Sequence, residues 1–187
     1  MTFHIERLTL HDAARLSALA KRAYPPHYAY LWADGGQWYT ETMYGESILA
    51  DEINDPNVVY YIVSDGQEDL GYMKLTLDYP LSIGQGFSVG NGAGSTMDAP
   101  NALYLDRIYL TEHAVGKKIG TYLVNMSTDI ARQLGKTAVW LAAMDSSQAV
   151  IMYEKMGFIS CGNWRLDFEK MYPKYRGMVL MIKKLAQ

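Results

Sequence analysis

The sequence predicts a single mixed α/β domain, an α+β arrangement of one mixed sheet with flanking helices, and three observations carry the prediction. VVYYIVSD and DLGYMKLTLDY are two β-branched and aromatic runs around a short polar stretch, the pattern of a hairpin through Ser64 to Asp69. ALYLDRIYL reads as a strand, and after a short turn Ile119, Leu123, Met126, Ile130 and Leu134 recur at helical spacing. TAVWLAAM is almost wholly apolar, as a strand covered on both faces must be. The helix between these two strands therefore crosses from one to the next.

The remaining elements follow in order. FHIERLTL is a first strand ending near Arg7 or Leu8. Thr9 or the His11-Asp12 pair starts a helix with Ala13, Leu16, Leu19 and Ala20 on one face, and Pro25-Pro26 ends it. PPHYAYLWADGGQWYTETMYG is an aromatic segment read as loop plus short helix, and ESILADEIND is a helix that stops before Pro56. Gly135 closes the long helix, SSQAVIMYEKMG is a short helix also closed by glycine, and GMVLMIKKL is a terminal strand. With no repeat and no second zone of composition, residues 1–187 read as one domain.

Composition narrows the function classes. Hydrophobic residues make up 49% and charged residues 20%, the profile of a soluble globular protein with a real core. A net charge of -3 speaks against a nucleic-acid-binding module. The single cysteine, Cys161, excludes an intrachain disulfide. No apolar run reaches the roughly 20 residues needed to cross a bilayer, and the first residues lack a signal-peptide pattern. No membrane partner is therefore expected, and the expected location is cytoplasmic. The four histidines are scattered without metal-ligand spacing, so no metal is expected.

Two glycine-bearing stretches are candidates for a phosphate seat. Residues 80–101, PLSIGQGFSVGNGAGSTMDAPN, have no fixed glycine period and no helix directly after them, and a mobile insertion fits better. The turn Val115-Gly116-Lys117-Lys118-Ile119-Gly120-Thr121 stands between a strand and a helix. The first N–H groups of a helix lack intrahelical partners and the helix dipole is positive there, so this turn is competent for a pyrophosphate. A plain connection with two solvated lysines is the alternative.

The context of the turn carries a resemblance. Over Arg107 to Phe158, RIYL, a glycine-bearing turn, a helix, a buried strand and MYEKMGF follow in an order and spacing that resemble the acetyl-CoA-binding core of the GNAT superfamily of N-acetyltransferases. LDRIYL and MYEKMGF look most like the PaiA-type polyamine acetyltransferases. The resemblance implies an acyl-CoA N-acyltransferase fold with a central, mostly antiparallel twisted sheet. It departs at three places. Val115 stands where the family turn begins with Arg or Gln, Lys118 stands at its middle glycine, and Ser146 replaces an asparagine before the short helix. Lysine is expected to hold ordinary backbone angles at 118, aiming its N–H less freely. Gly120 matches the pattern.

The resemblance also implies the roles. The pantetheine arm would lie along the strand end, Ile108, Tyr109 and Leu110, pairing with the backbone of Ile108 and Leu110. The turn from Val115 to Thr121 would hold the phosphates, with Ser146 contributing, so acetyl-CoA is the expected co-substrate. Tyr153 matches the tyrosine that protonates the departing thiolate; a phenol near pKa 10 keeps its proton at pH 7. Tyr153 also reads as an ordinary packed aromatic. The base is open. Asp106 sits in the right strand, Tyr104 shares its face by the period of two, and His113 in the turn is a weaker candidate. Asp106 equally reads as a strand-end acid paired with Arg107 or another neighbour.

The segment from Tyr24 to Tyr44 is dense in aromatics, and Tyr28, Trp32 and Trp38 are the candidates for acceptor contact, because aromatic faces attract cations. Core packing and a homodimer contact are the other readings of the same cluster. The expected function is acetyl-CoA-dependent transfer of an acetyl group to a primary amine of a small, polyamine-like molecule. The alternative is a non-catalytic acyl-CoA-binding or protein-interaction relative of the same fold.

Overall fold

The computed structural model describes residues 2–82 and 95–186. The strands are β1 (His4–Arg7), β2 (Val58–Ser64), β3 (Asp69–Thr76), β4 (Ala102–Leu110), β5 (Ala138–Met144), β6 (Ile159–Arg165) and β7 (Gly177–Lys184). The helices are α1 (Ala13–Ala23), α2 (Pro25–Tyr28), α3 (Gln37–Met43), α4 (Glu46–Asn54), α5 (Ile119–Gln133) and α6 (Ala149–Lys155). The strands form one mixed sheet in the order β1-β2-β3-β4-β5-β7-β6. β4 and β5 run parallel, as the crossover through α5 requires, and β1–β2, β2–β3, β5–β7 and β6–β7 are antiparallel. The chain divides into two units, residues 1–76 with 107–123, and 77–106 with 124–187.

In the first unit, the entry to α1 is fixed by Asp12, whose carboxylate accepts both the N–H and the hydroxyl of Thr9 at 2.9 Å. Leu16, Leu19, Ala20 and Ala23 then form the buried stripe. Pro25 and Pro26 do end α1, but Pro25 also opens α2, because a proline ring is pre-set for the first position of a helix. A 3-10 turn (Ala29–Leu31) and α3 complete the aromatic segment. In the β2–β3 hairpin, Asp65 accepts the N–H groups of Gln67 and Glu68 at 3.0 and 3.1 Å, and Gly66 takes φ 90.

In the second unit, Trp140, Ala138, Leu180, Ile182 and Cys161 form the core, with β5 buried on both faces. Two features differ from the sequence reading. The α5 stripe is rotated: Ile119, Leu123, Val124, Ser127, Thr128 and Ala131 are buried, whereas Leu134 is exposed. Ser127 and Thr128 enter the core because their hydroxyls donate to the carbonyl of Val124 at 2.7 and 3.0 Å. β6 is a strand without a strand-like pattern. Its register shifts between Ser160 and Gly162, which breaks the period of two, and Ile159 is exposed.

The flanks of the glycine-rich stretch are strand-like. Leu81 and Ala99 exchange backbone bonds of 3.0 and 2.7 Å, and Ser95 bridges to Gly162. Residues 83–94, which hold all the glycines of that stretch, lie outside the described residues, and so do the phosphate-loop and mobile-insertion readings.

Candidate active site

The end of β4 is fixed by close backbone packing. The N–H and hydroxyl of Thr111 both donate to the carbonyl of Leu70, at 2.8 and 3.2 Å. A Cβ at Gly71 would lie 2.5 Å from the carbonyl oxygen of Tyr109 and from Leu110, so only glycine allows this approach. A 3-10 turn (Glu112–Ala114) then leads to the glycine-lysine turn, which exposes Val115, Gly116, Lys117 and Lys118 and buries Ile119.

The expectation for Lys118 is overturned. Its φ is 63, the left-handed conformation that a glycine would take, and Gly116 has φ 80. The lysine therefore holds a glycine-type conformation at a steric cost of about 1–2 kcal/mol. Lys118→Gly is expected to raise the unfolding free energy by about 1 kcal/mol, less the larger entropy of an unfolded glycine. Urea denaturation of parent and variant checks this.

Tyr122 donates to the carbonyl of Lys118 at 3.0 Å. Helix geometry then leaves the N–H groups of Ile119, Gly120 and Thr121 pointing out of the N-terminus of α5. No atom lies within 4 Å of where a Cβ on Gly116 would stand, so the approach there is open. Outward N–H groups, a positive helix end and two exposed lysines make a donor set that fits a pyrophosphate.

Behind β4 lies a charged network that sequence reasoning missed. Glu52 of α4 accepts from Lys74 at 2.9 Å, from Arg107 at 3.2 Å and from the Tyr60 hydroxyl. The only signal was Lys74, a charged residue in the apolar stretch of β3. Burial pushes the Glu52 carboxyl up, but the charges of Arg107 and Lys74 outweigh it and hold the group below the usual glutamate range. The Lys74 and Arg107 side chains are 9% and 8% exposed. Glu52→Gln would remove the Glu52 charge from both pairs, and a loss of about 2–3 kcal/mol is expected, below the value for full burial because Glu52 is 22% exposed. Since the folded state lowers this pKa, the stabilisation is present above the unfolded value near 4.3 and is lost as pH falls through the folded one. The difference between parent and variant in urea should therefore be constant at neutral pH and shrink below about pH 4.

The aromatic segment packs on the same strand end. Tyr24 stacks on Tyr28 and Tyr39 with centroids 5.1 and 4.8 Å apart, and Tyr109 meets Tyr24, Tyr28 and Tyr72 edge-on at 5.4–5.6 Å. Trp32 is buried, and its indole N–H donates to the Tyr24 hydroxyl at 2.8 Å. Tyr28 and Trp38 are half-buried. Burial holds the phenols of Tyr24, Tyr44 and Tyr109 above their ordinary pKa, so they stay neutral. His27 is bound through Nε2 to the carbonyl of Leu110 at 2.8 Å.

In the second unit Tyr104 is half-buried and stacks on Trp140, with centroids 4.1 Å apart at 25°, and Tyr79 lies 5.4 Å from Tyr104. Burial first, and the charge of Asp106 second, push the Tyr79 phenol up. Tyr153 stands half-buried on α6, its ring edge-on to Phe158 at 5.8 Å, and its carbonyl accepts the Phe158 N–H at 3.0 Å. Gly157 closes α6 at φ 87. Ser146 is exposed, and its neighbour Ser147 accepts the Ala149 N–H at 3.2 Å. His113 is exposed, and Arg107 pairs with Glu52 at 3.2 Å. The first unit thus brings together Ile108 to Leu110, the turn, Tyr28, Trp32 and Trp38. The second carries Tyr104 and Asp106 on one face of β4, and Ser146 and Tyr153 around α6.

A strand ending in such a turn, a helix open at its N-terminus, and a buried parallel strand leading to a tyrosine-bearing short helix define the class of acyl-CoA N-acyltransferases. The model of the acetyltransferase (GNAT) family matches residues 13–158, and the chain belongs to that family. An uncharacterized N-acetyltransferase of Lactobacillus delbrueckii subsp. lactis is 24% identical over 110 residues, which span 59% of this chain and 56% of that relative. The fold is similar to that of the PaiA N-acetyltransferase from Thermoplasma acidophilum in complex with coenzyme A, at a TM-score of 0.72, 18% identity, and coverage of 99% of this chain and 100% of that one. A mutant of spermidine N-acetyltransferase SpeG from Vibrio cholerae aligns at a TM-score of 0.63 and 17% identity, covering 97% and 93%. Among the described residues, no helix is long and apolar enough to cross a membrane, and no group of three His, Cys, Asp or Glu is placed to hold a metal ion.

Proposed function

We propose that this protein is an acetyl-CoA-dependent N-acetyltransferase, working as one domain and moving an acetyl group to a primary amine of a small molecule by direct attack. The observation that carries this reading is the turn: Lys118 adopts left-handed angles that favour glycine, and the start of α5 stays open to an anion. Lys117 and Lys118 add charge to the N–H groups of Ile119, Gly120 and Thr121. The backbone of Ile108 and Leu110 pairs with the pantetheine arm, and a backbone N–H of this strand end polarises the thioester carbonyl. Tyr153 gives its phenolic proton to the thiolate as the carbon–sulfur bond breaks. Holding both substrates together is the largest lever, since effective molarities reach about 10⁵–10⁸ M.

The acceptor must attack as a neutral amine, and an alkylammonium with pKa about 10.4 costs roughly 4–5 kcal/mol to deprotonate at pH 7. Tyr28 and Trp38 offer half-buried aromatic faces to such a cation, and buried Trp32 packs beside Trp38 with its N–H committed to Tyr24. A polyamine-like acceptor is in keeping with this wall, and a spermidine acetyltransferase is among the proteins of similar fold.

The test is coenzyme A release on mixing acetyl-CoA with a panel of amines that includes spermidine. Release with at least one amine supports the transferase; tight acetyl-CoA binding with no release for any amine supports the non-catalytic reading. Tyr28→Ala and Trp38→Ala are expected to raise the acceptor KM about 5–30-fold, as loss of a cation–π contact of about 1–2 kcal/mol predicts, with acetyl-CoA affinity unchanged. If the variants unfold or change oligomeric state with acceptor preference intact, the segment is core or interface.

A further inference from the structure

His27 stands on α2, one turn beyond the end of α1, and reaches the last carbonyl of β4. A carbonyl oxygen only accepts, so the bond of 2.8 Å from Nε2 to Leu110 fixes the tautomer: Nε2 carries hydrogen and the lone pair of the neutral ring lies at Nδ1. The ring is half-buried, and Tyr28, whose half-buried face is offered to a cationic acceptor, lies 6.3 Å away edge-on. Among the described residues Nδ1 makes no hydrogen bond. Three carboxylates of this unit are already committed. Glu52 serves Lys74, Arg107 and Tyr60, while Asp69 and Glu6 both bind Arg15 at 2.7 and 2.9 Å. An oriented imidazole beside the strand end that holds the thioester is the arrangement a general base needs.

We propose that His27 is the general base of the transfer, taking the proton of the acceptor ammonium at Nδ1; this rests on the N-acetyltransferase reading above. The neutral ring accepts one proton from R–NH3+ and becomes imidazolium. The freed lone pair of R–NH2 forms the nitrogen–carbon bond to the thioester carbonyl carbon as the carbon–sulfur bond breaks. The second nitrogen proton passes to solvent, and the sulfur leaves as a thiolate that is protonated to the thiol, so charge and protons balance. The Leu110 carbonyl is a positioning group, because it holds Nε2–H and therefore the lone pair at Nδ1. The same bond ties the acceptor-binding segment to the strand that carries the thioester.

The experiment compares parent, His27→Gln and His27→Ala, with spermidine and the simple aliphatic amines of the panel as acceptors. Gln keeps an N–H donor within reach of Leu110 but has no basic nitrogen. The expected result for both variants is acetyl-CoA affinity within about twofold of the parent and a fall in turnover of about 10²–10³-fold, the usual worth of a general base. Added imidazole should restore turnover in His27→Ala, where it can occupy the space of the ring, and not in His27→Gln. Product is read as acetylated amine, since imidazole is itself acetylated and would release coenzyme A. Parent-like turnover in His27→Gln overturns the proposal, as does a loss in His27→Ala that follows acetyl-CoA affinity and ignores imidazole. Imidazole rescue of Asp106→Ala in place of His27→Ala would make Asp106 the base. A parent that acetylates no amine of the panel removes the transferase reading itself, a result distinct from an active parent with indifferent His27 variants.

Discussion

Tyr153→Phe is expected to leave acetyl-CoA affinity within about twofold of the parent and to lower turnover about 10²–10⁴-fold, the range for loss of a positioned proton donor. The ring is expected to stay in place. It meets Phe158 edge-on, and the backbone of Tyr153 closes α6 through the Phe158 N–H, two contacts that phenylalanine preserves. The variant therefore removes one hydroxyl from a half-buried position and little packing. A proton delivered to the sulfur as the carbon–sulfur bond breaks acts only in the transition state, so the loss should appear in kcat and in kcat/KM together. Steady-state kinetics with acetyl-CoA and a productive amine, with binding measured by calorimetry, separates the terms. A kcat equal to the parent's would leave Tyr153 as a packing residue. A rise in the acetyl-CoA dissociation constant at constant kcat would instead make its hydroxyl a cofactor contact.

Much of the fold was legible because the periodicities are clean. β2, β3, β4, β5 and β7 each carry an uninterrupted apolar or alternating pattern, and α1 is bounded by Asp12 and Pro25. The failures have local causes. β6 holds Gly162 and a bulge, so its residues do not alternate, and its pairing comes from β7 and from Ser95, partners far off in the chain. The α5 stripe was misplaced because Ser127 and Thr128 count as polar in a pattern, whereas in a helix their hydroxyls fold back onto the Val124 carbonyl. The turn was legible as a motif, but not its conformation. Lysine is rarely left-handed, and the angles at Lys118 are dictated by Gly116 before it and the helix after it. The Glu52–Arg107–Lys74 network and the His27–Leu110 bond join residues 55 and 83 positions apart, and no local pattern announces such pairs.

Gly120→Pro is expected to weaken acetyl-CoA binding about 10²-fold while the protein stays folded. Gly120 lies in the first turn of α5, ahead of Tyr122, which makes the bond back to Lys118. A proline here removes an N–H that has no partner within the helix, and the first turn tolerates its ring. The phosphate seat loses a charge-assisted hydrogen bond of about 1.5–3 kcal/mol, a factor of about 10–150, and the ring stands where the anion would approach. Gly120→Ala keeps the N–H and suits a helix, so its affinity should stay within a few-fold. Lys117→Ala with Lys118→Ala tests the charge separately. Both side chains are exposed, so the expected loss is about 5–20-fold at low ionic strength and should shrink as the Debye length falls toward 3 Å in about 1 M salt. The proline effect, a matter of geometry and a missing donor, should persist at that salt. Circular dichroism and a thermal melt verify the fold of each variant, with acetyl-CoA affinity measured alongside. A folded proline variant that binds acetyl-CoA as tightly as the parent would move the pyrophosphate away from the turn. The left-handed Lys118 would then be strain in an ordinary loop.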